Sequence, residues 1–426
     1  MPIAGIVDAV DASLPLAERL FADLKAKTHD GVGITRQSYG AGEQVGFDLA
    51  AAAARDIGLE VKTDYAGNLY MTLPGRDRGG HGIIVGSHMD SVPSAGNYDG
   101  AAGVVAGLVA AAGLKKAGIQ PKRDIQVMAI RGEEDDWFGI THIGSRAALG
   151  LLPPAELDAA KRVDTGRTLA DHMQALGCDV QALRATKRFL DPKRIAAYFE
   201  LHIEQGPVLE HDGIPVGVVT GIRGNVRSHK ARCIGAYAHS GAVPRRMRRD
   251  AVLAAVEYAA ALESEWDRVE AEGGDLVLTF GKLFTDQTLH SLSKVPGEVA
   301  FTIDARSQDT VVLDRMEARI RSEAARIAKA RGVTFALEPI RRVRPAIMDS
   351  GLQQRLHAGC RELGIKAMAI PSGAGHDAAD FANAGVPTAM IFVRNPNGSH
   401  NPAEHMEMAD FALGTRLLAW ALAEVS

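Results

Sequence analysis

The feature that most constrains the fold is an alternation of short, fully apolar runs with one long run of small residues. Residues 82–86 read GIIVG, residues 101–117 are rich in Ala, Gly and Val, and residues 124–130 read DIQVMAI. Short apolar runs bounded by polar loops are what strands buried on both faces require. The run between them has the length of a helix, and its small side chains predict close packing against a sheet. Strand, helix and strand in this order predict an α/β fold with parallel strands. In such sheets functional groups gather beyond the carboxyl ends of the strands. The residues that follow Val85, Ile130, Phe199 and Val393 are therefore the first places to look for a site.

The rest of the chain extends this pattern. Helical spacing predicts helices over 14–25 and 45–57, and 59–73 alternates like a strand pair. After residue 213 the pattern changes. A strand is expected over 216–237, a helix over 250–263, strands over 276–283 and 298–305, a helix over 312–329 and a strand over 334–338. This β-α-β-β-α-β order predicts a small two-layer domain. The α/β pattern then resumes with a helix over 351–363, a strand over 387–393 and a closing helix over 403–423. The expected division is one domain of residues 1–213 and 340–426, a mixed, mainly parallel sheet flanked by helices, interrupted by a βαββαβ domain at 214–339.

Charge and cysteine content exclude several function classes. With 48 Lys and Arg against 52 Asp and Glu, the net charge is −4. A chain so near neutrality has no global field to hold nucleic acid or an anionic membrane. The basic run at 245–249 reads as a solvated helix start or a subunit contact. Cys178, Cys233 and Cys360 lie far apart and form no CxxC pair, which excludes a zinc ribbon or dithiol redox motif. The start, MPIAGIVDAV, lacks a signal peptide's basic and apolar regions, and the apolar stretch at 101–114 is too short to span a bilayer. A soluble, cytoplasmic protein with no nucleic-acid or membrane partner is expected.

Polar clusters follow the expected strands: GSHMDSV with His88 and Asp90, NYDGAAGV with Asp99, RGEEDDWFG with Glu133 and Glu134, ELHIEQGPVLE with His202, Glu204 and Gln205, and NGSHNPAE with His400. Each alone has an ordinary explanation as a capping residue, a turn or a solvated face. Together they place imidazoles and carboxylates at one edge of one sheet. Three His and two carboxylates suit borderline divalent cations such as zinc, manganese or cobalt. Five ligands exceed what one catalytic zinc needs, and suit two ions if one carboxylate bridges them. Glu133, beside Glu134, is placed to take a proton. Asp90, two residues after His88, could accept the second ring N–H of that imidazole and fix its tautomer.

These motifs, with FTIDAR and SGAGHDA, resemble those of the two-metal amidohydrolases related to aminoacylases and metallo-exopeptidases, in the hydantoinase/carbamoylase branch. That branch includes N-carbamoyl-L-amino-acid hydrolases, β-ureidopropionases and allantoate amidohydrolases. The motifs keep their order from about residue 30 to the end, and ELHIEQGP is specific to the branch. The resemblance implies an exopeptidase-like catalytic domain, a lid and dimerisation domain at 214–339, and a homodimer acting on a small molecule. It implies two divalent ions per subunit (zinc, manganese, cobalt or nickel), one held by His88, Asp99 and His202 and the other by Asp99, Glu134 and His400. Glu133 matches the general acid/base and Gln205 a substrate contact. His239 matches a residue that polarises the scissile carbonyl across the dimer, and Arg306 one that grips the substrate carboxylate. The loop 372–378 matches a glycine-rich substrate loop in which Gly375 and His376 are candidate substrate contacts, although His376, like Asp377, fits better behind the site.

Two departures stand out. Ser293 occupies a substrate-contacting position, thirteen residues before Arg306, where the branch usually has Asn. Trp137 falls in DDWFG, where relatives often carry a Gly/Ser-Arg-Phe run, and could line an apolar wall or pack in the core. The implied reaction is hydrolysis of a non-peptide C–N bond of a small carboxylate, such as an N-carbamoyl amino acid. Aminoacylase or dipeptidase chemistry at the same centre stays open, though ELHIEQGP and SGAGHDA favour the carbamoylase branch, and Ser293 leaves room for aminohydrolase chemistry on a less usual substrate. His239 could instead cap its turn, and Arg306 could form an ordinary ion pair.

Overall fold

The computed structural model describes residues 3–337 and 339–426. Met1, Pro2 and Glu338, the last residue of the strand expected over 334–338, lie outside the described residues.

The chain divides into two compact units, Met1–Thr220 with Ile347–Ser426, and Gly221–Ala346. In the first unit the strand order is Glu60–Thr63, Leu69–Leu73, Ile125–Ile130, Gly82–His88, Ile195–Ile203, Thr388–Val393 and Val216–Ile222, and Ala367–Ser372 also pairs with the last of these. The four strands from Ile125–Ile130 to Thr388–Val393 are parallel, and the outer pairs are antiparallel. His88, residues 131–134, His202 and residues 394–400 thus come to the same edge. The helix Ala101–Lys116 is buried along nearly its whole length. It lies close because it carries glycine: a Cβ on Gly103 would stand 2.3 Å from Leu201 O. Its apolar side chains share one core with the odd-numbered residues Ile83, Val85, Val127, Phe199, Leu201 and Ile391 and with the closing helix Met408–Val425. A separate apolar cluster holds Trp137, at 5% exposure, whose indole N–H donates to Ser91 O at 2.7 Å. Trp137 is therefore a core residue.

The second unit is an antiparallel sheet with the helices Ala251–Ala271 and Thr310–Arg331 packed on it. Along Glu298–Ser307 the side chains alternate between buried and half-buried, as a strand covered on one face requires. A short ribbon pairs Ala238–His239 with Lys294–Val295.

Three expectations need correction. The strand expected over 216–237 is two strands, Val216–Ile222 in the large sheet and Gly224–Ile234 in the small one. The break falls where Gly224 meets backbone so closely that a Cβ would lie 2.5 Å from Val343 O. This also moves the division from residue 214 to Gly221, and pairing of Ile340–Val343 with Gly224–Ile234 moves the other from 340 to Ile347. The closing helix starts at Met408 rather than at 403, because Glu404 is drawn away to the loop of Asp99, as described next. No helix among the described residues is long and apolar enough to cross a membrane.

Candidate metal centre

Asp99 is the hub of the polar edge. Its Oδ1 lies 3.3 Å from His88 Nε2 and 3.3 Å from His202 Nε2, and the two Nε2 atoms are 3.5 Å apart. Its Oδ2 lies 3.6 Å from His400 Nε2, which is 3.5 Å from Glu134 Oε1. Ligands bound at zinc–nitrogen and zinc–oxygen lengths around one tetrahedral ion stand about 3.3–3.4 Å from each other. Both halves of the Asp99 carboxylate therefore face donor sets with ligand-like spacing, and the groups His88–Asp99–His202 and Asp99–Glu134–His400 can each hold a metal ion.

The hydrogen bonds around these groups favour a cation over mutual bonding. His202 Nδ1 lies 2.8 Å from Ile203 O, and its Nε2 accepts the Gly100 N–H at 3.1 Å. His88 Nδ1 lies 3.1 Å from Asp90 O and 3.4 Å from Asp90 Oδ1. With each Nδ1 placed as a donor, each Nε2 is left as the acceptor, that of His88 towards the centre and that of His202 towards both the centre and the Gly100 N–H. Asp99 Oδ1 is buried there without a hydrogen-bond partner. Converging lone pairs repel unless positive charge stands between them, and the imidazole and carboxylate donors suit a borderline divalent ion.

The buried charges also shift one another. Burial, then the charges of Glu133 and Asp99, push Glu134 well above the usual carboxylate range. Burial also opposes the charge on Asp99, but His202 and His88 outweigh it and hold that group well below the usual range. His88 is raised against its burial by Asp90 and Asp99.

Asp90 ties two strand ends together. It accepts the Ser38 hydroxyl at 2.5 Å and the backbone N–H groups of Glu133 and Glu134 at 3.1 and 3.2 Å. Glu133 places Oε2 3.9 Å from His88 Nε2, on the edge of the centre.

Other expected residues land differently. Gln205 gives its amide to Asp99 Oδ2 at 2.7 Å, so it braces a candidate ligand instead of reaching outward for substrate. His376 is 1% exposed, bonds Ser372 Oγ at 2.9 Å and sets its ring edge-on to His202 at 4.5 Å, so it packs behind that ligand rather than facing outward. Burial, with the charge of His202, lowers its pKa well below the usual imidazole value. Asp377 is buried and accepts the Ser145 hydroxyl at 2.6 Å. Gly375 borders His142: a Cβ there would meet His142 Nε2 at 3.3 Å. Glu204 caps the helix Val208–Asp212 through the N–H groups of Val208 and Leu209.

In the second unit, His239 Nδ1 accepts the N–H groups of Gly241 and Ala242 at 3.1 and 3.2 Å, and Ser293 O accepts from Ser240 N. His239 thus does cap its turn, beside Ser293, with Nε2 left over. Arg306 donates to Asp304 Oδ2 through Nε and Nη2 at 3.1 and 2.8 Å.

Five residues of the first unit escaped the sequence reading. Glu404 accepts the N–H groups of Tyr98 and Asp99 at 2.8 and 3.2 Å, and Ser399 bridges Glu404 to Asp99 Oδ2. Arg36 is fully buried and donates to Met89 O and Asp99 O at 2.7 and 3.1 Å, placing a fixed cation beside the carboxylates. His142 and Asp380 extend from Glu133: His142 Nε2 is 3.1 Å from Glu133 Oε1, and its Nδ1 is 2.8 Å from Asp380 Oδ2. Arg36, His142 and Asp380 lie in no strand-end motif, and within NGSHNPAE residue type singles out His400 rather than Ser399 or Glu404.

Residues 84–424 match the model of peptidase family M20/M25/M40. The chain is 37% identical over 396 residues to an N-carbamoyl-L-amino acid amidohydrolase of Geobacillus stearothermophilus, covering 92% of this chain and 94% of that one. It is 34% identical over 371 residues to the allantoate amidohydrolase of Escherichia coli, covering 87% of each. A crystal structure of a hydantoinase/carbamoylase family amidase from Burkholderia multivorans superposes with a TM-score of 0.86 at 31% identity, covering 97% of both chains. With the metal-ligand groups at the strand ends and this coverage of nearly the whole chain, the protein belongs to peptidase family M20/M25/M40, as an amidohydrolase acting on C–N bonds other than peptide bonds.

Proposed function

We propose that this amidohydrolase cleaves the ureido C–N bond of an N-carbamoyl amino acid or a related ureido acid, using two divalent ions. The observation that carries the two-ion reading is the split environment of Asp99, with Oδ1 3.3 Å from two imidazoles and Oδ2 3.6 Å from a third. The ureido class rests on the relatives that act on N-carbamoyl-L-amino acids and allantoate.

When bound, the ions supply Lewis acidity, lowering the pKa of water and polarising a carbonyl. His88, Asp99 and His202 would hold one, and Asp99, Glu134 and His400 the other; zinc, manganese, cobalt and nickel all suit these donors. Glu133 takes the proton of the attacking water and returns it to the leaving nitrogen. Gln205 and Ser399 steady Asp99 through Oδ2. Arg306 takes the substrate carboxylate through its guanidinium fork. His239, with Nε2 free of the turn it caps, gives a hydrogen bond to the carbonyl oxygen as charge develops there.

The working form is a homodimer joined through the unit Gly221–Ala346. The exposed Leu283 and Phe284 on the edge strand Leu283–Thr285 and the fully exposed Leu292 support an apolar contact there. The free Cys178, Cys233 and Cys360 support a reducing cytoplasm.

The test is turnover of ureido acids, read as release of ammonia and amino acid, set against acyl amino acids and dipeptides, read as release of amino acid, and aromatic amines, read as release of ammonia, by metal-reconstituted protein and by Glu133→Gln. Ureido acids turned over fastest, with Glu133→Gln inactive and still loaded with metal, is the expected result. Preference for another class rejects the substrate, and near-normal turnover by Glu133→Gln rejects the base.

A further inference from the structure

The imidazole of His142 stands between two carboxylates. One belongs to Glu133; the other, on Asp380, belongs to no candidate ligand set. The placement is fixed from the backbone outward. The N–H groups of His142, Ile143 and Gly144 donate to the carbonyls of Glu133, Gly132 and Arg131 at 2.9, 2.8 and 2.8 Å. The chain therefore leaves Glu133, loops out and returns alongside it. At the return His142 adopts φ 54°, a left-handed backbone that a non-glycine residue rarely takes and that costs on the order of 1 kcal/mol or more. That conformation directs the ring back to Glu133.

Both ring nitrogens are held. Its Nδ1 is 2.8 Å from Asp380 Oδ2, and Ser145 Oγ lies 3.1 Å from that same oxygen. Gly375 borders the ring, and a Cβ there would stand 3.3 Å from Nε2. The side chain of His142 is 14% exposed. Its Nε2 is 3.1 Å from Glu133 Oε1, while Glu133 Oε2 points the other way, 3.9 Å from His88 Nε2. Burial opposes charge on His142, but Asp380 and Glu133 outweigh it and raise its pKa well above the usual imidazole value, so the ring can donate from both nitrogens.

We propose that His142, oriented by Asp380, is the positioning residue of Glu133: it binds Oε1 and so leaves Oε2 turned to the metal centre in one fixed rotamer. A glutamate has three side-chain torsions to fix, and a base held in place starts each turnover already aimed. Asp380 acts only through the ring. This inference rests on the role given to Glu133 under the proposed function.

The experiment compares His142→Ala, His142→Gln, Asp380→Ala and the double alanine variant in the zinc-loaded enzyme. N-carbamoyl-L-alanine is the probe, zinc content and thermal midpoint are measured on each, and Glu133→Gln is the control. A loss of 1 Å precision at a reacting group costs about tenfold to a hundredfold in rate. His142→Ala is expected to lower kcat by about that factor with KM within about twofold and zinc content unchanged. His142→Gln, whose Nε2 amide can reach the same oxygen without titrating, is expected to recover most of it. Asp380→Ala is expected to lower kcat alone but to add nothing to His142→Ala. Crystal structures of the zinc-loaded wild type and His142→Ala supply a readout independent of turnover: Glu133 should leave its position only in the variant. Unchanged kcat in His142→Ala, or loss of zinc or thermal stability equal in the Ala and Gln variants with no rescue, overturns the proposal. If Glu133→Gln is inactive while His142→Ala is normal, only this inference falls. An active Glu133→Gln overturns the base assignment itself.

Discussion

Glu404 accepts the backbone N–H of Asp99 at 3.2 Å across 305 positions of sequence. The same oxygen accepts Tyr98 N–H, and Gly96 lies so close that an added Cβ would stand 2.2 Å from the Glu404 carboxyl carbon. One side chain thus fastens the loop of Asp99 to the segment that carries His400. Glu404→Ala leaves buried donors unpaired, each costing about 1–3 kcal/mol, and Gly96→Ala displaces Glu404 sterically. Both variants should bind less metal and lose activity together. Elemental analysis finding wild-type metal content in Glu404→Ala would refute this coupling.

Chelation should abolish activity and lower the melting temperature, and zinc, manganese, cobalt or nickel should restore both. Ions that bind only the folded state stabilise it by about 4 kcal/mol when present at a thousandfold excess over Kd. The check is a thermal scan and an activity assay before and after dialysis against chelator. Full activity of demonstrably metal-free protein would contradict the assignment of the centre.

Gly103 sets how closely the helix Ala101–Lys116 lies on the sheet. Alanine would ordinarily favour a helix interior by about 0.5–1 kcal/mol. Here its Cβ would meet Leu201 O at 2.3 Å and Ser87 Cβ at 2.7 Å, and a backbone carbonyl in a central strand cannot give way cheaply. Gly103→Ala should therefore destabilise the protein, by about 1–3 kcal/mol. Because His88 and His202 end the two strands beneath, metal affinity should fall too. Urea titration gives the sign; a stabilised variant would be the contrary result.

Burial pushes the thiols of Cys178 and Cys233 up to about 12 and that of Cys360 up to about 11. At pH 8 their thiolate fractions are then on the order of one in a thousand or less, against roughly one in ten at the ordinary thiol value of 9.0. The folded protein should react slowly with a thiol reagent and release all three cysteines only on unfolding. The linked stability has a definite sign. These groups keep their protons longer when folded, so their contribution is whole below about pH 9 and is lost as pH rises through 11 to 12. A rapidly labelled cysteine in native protein at pH 8 would count against this.

Much of the site was legible because two local quantities carry it. Apolar runs such as GIIVG identify buried strands, and the residues just beyond them must reach the carboxyl edge of a parallel sheet. His88, Asp99, Glu133, Glu134, His202 and His400 were found in that way, before any contact was known. Motif position does not tell that Gln205 turns its amide back onto Asp99 or that His376 sets its ring against His202. His142 follows no strand and sits in no metal-ligand spacing. Its role depends on a left-handed turn and on Asp380, 238 positions away.

By itself the sequence determined the residue types, their places at strand ends and the parallel order of the central strands, because hydrophobic period and chain direction act over a few residues at a time. Only the tertiary structure decided which oxygen of Asp99 faces which imidazoles, that Glu404 and Arg36 hold the Asp99 loop, and that Gly224 breaks one expected strand into two sheets. Those outcomes turn on separations of an ångström between segments hundreds of residues apart, and packing sets such distances while composition and spacing leave them open.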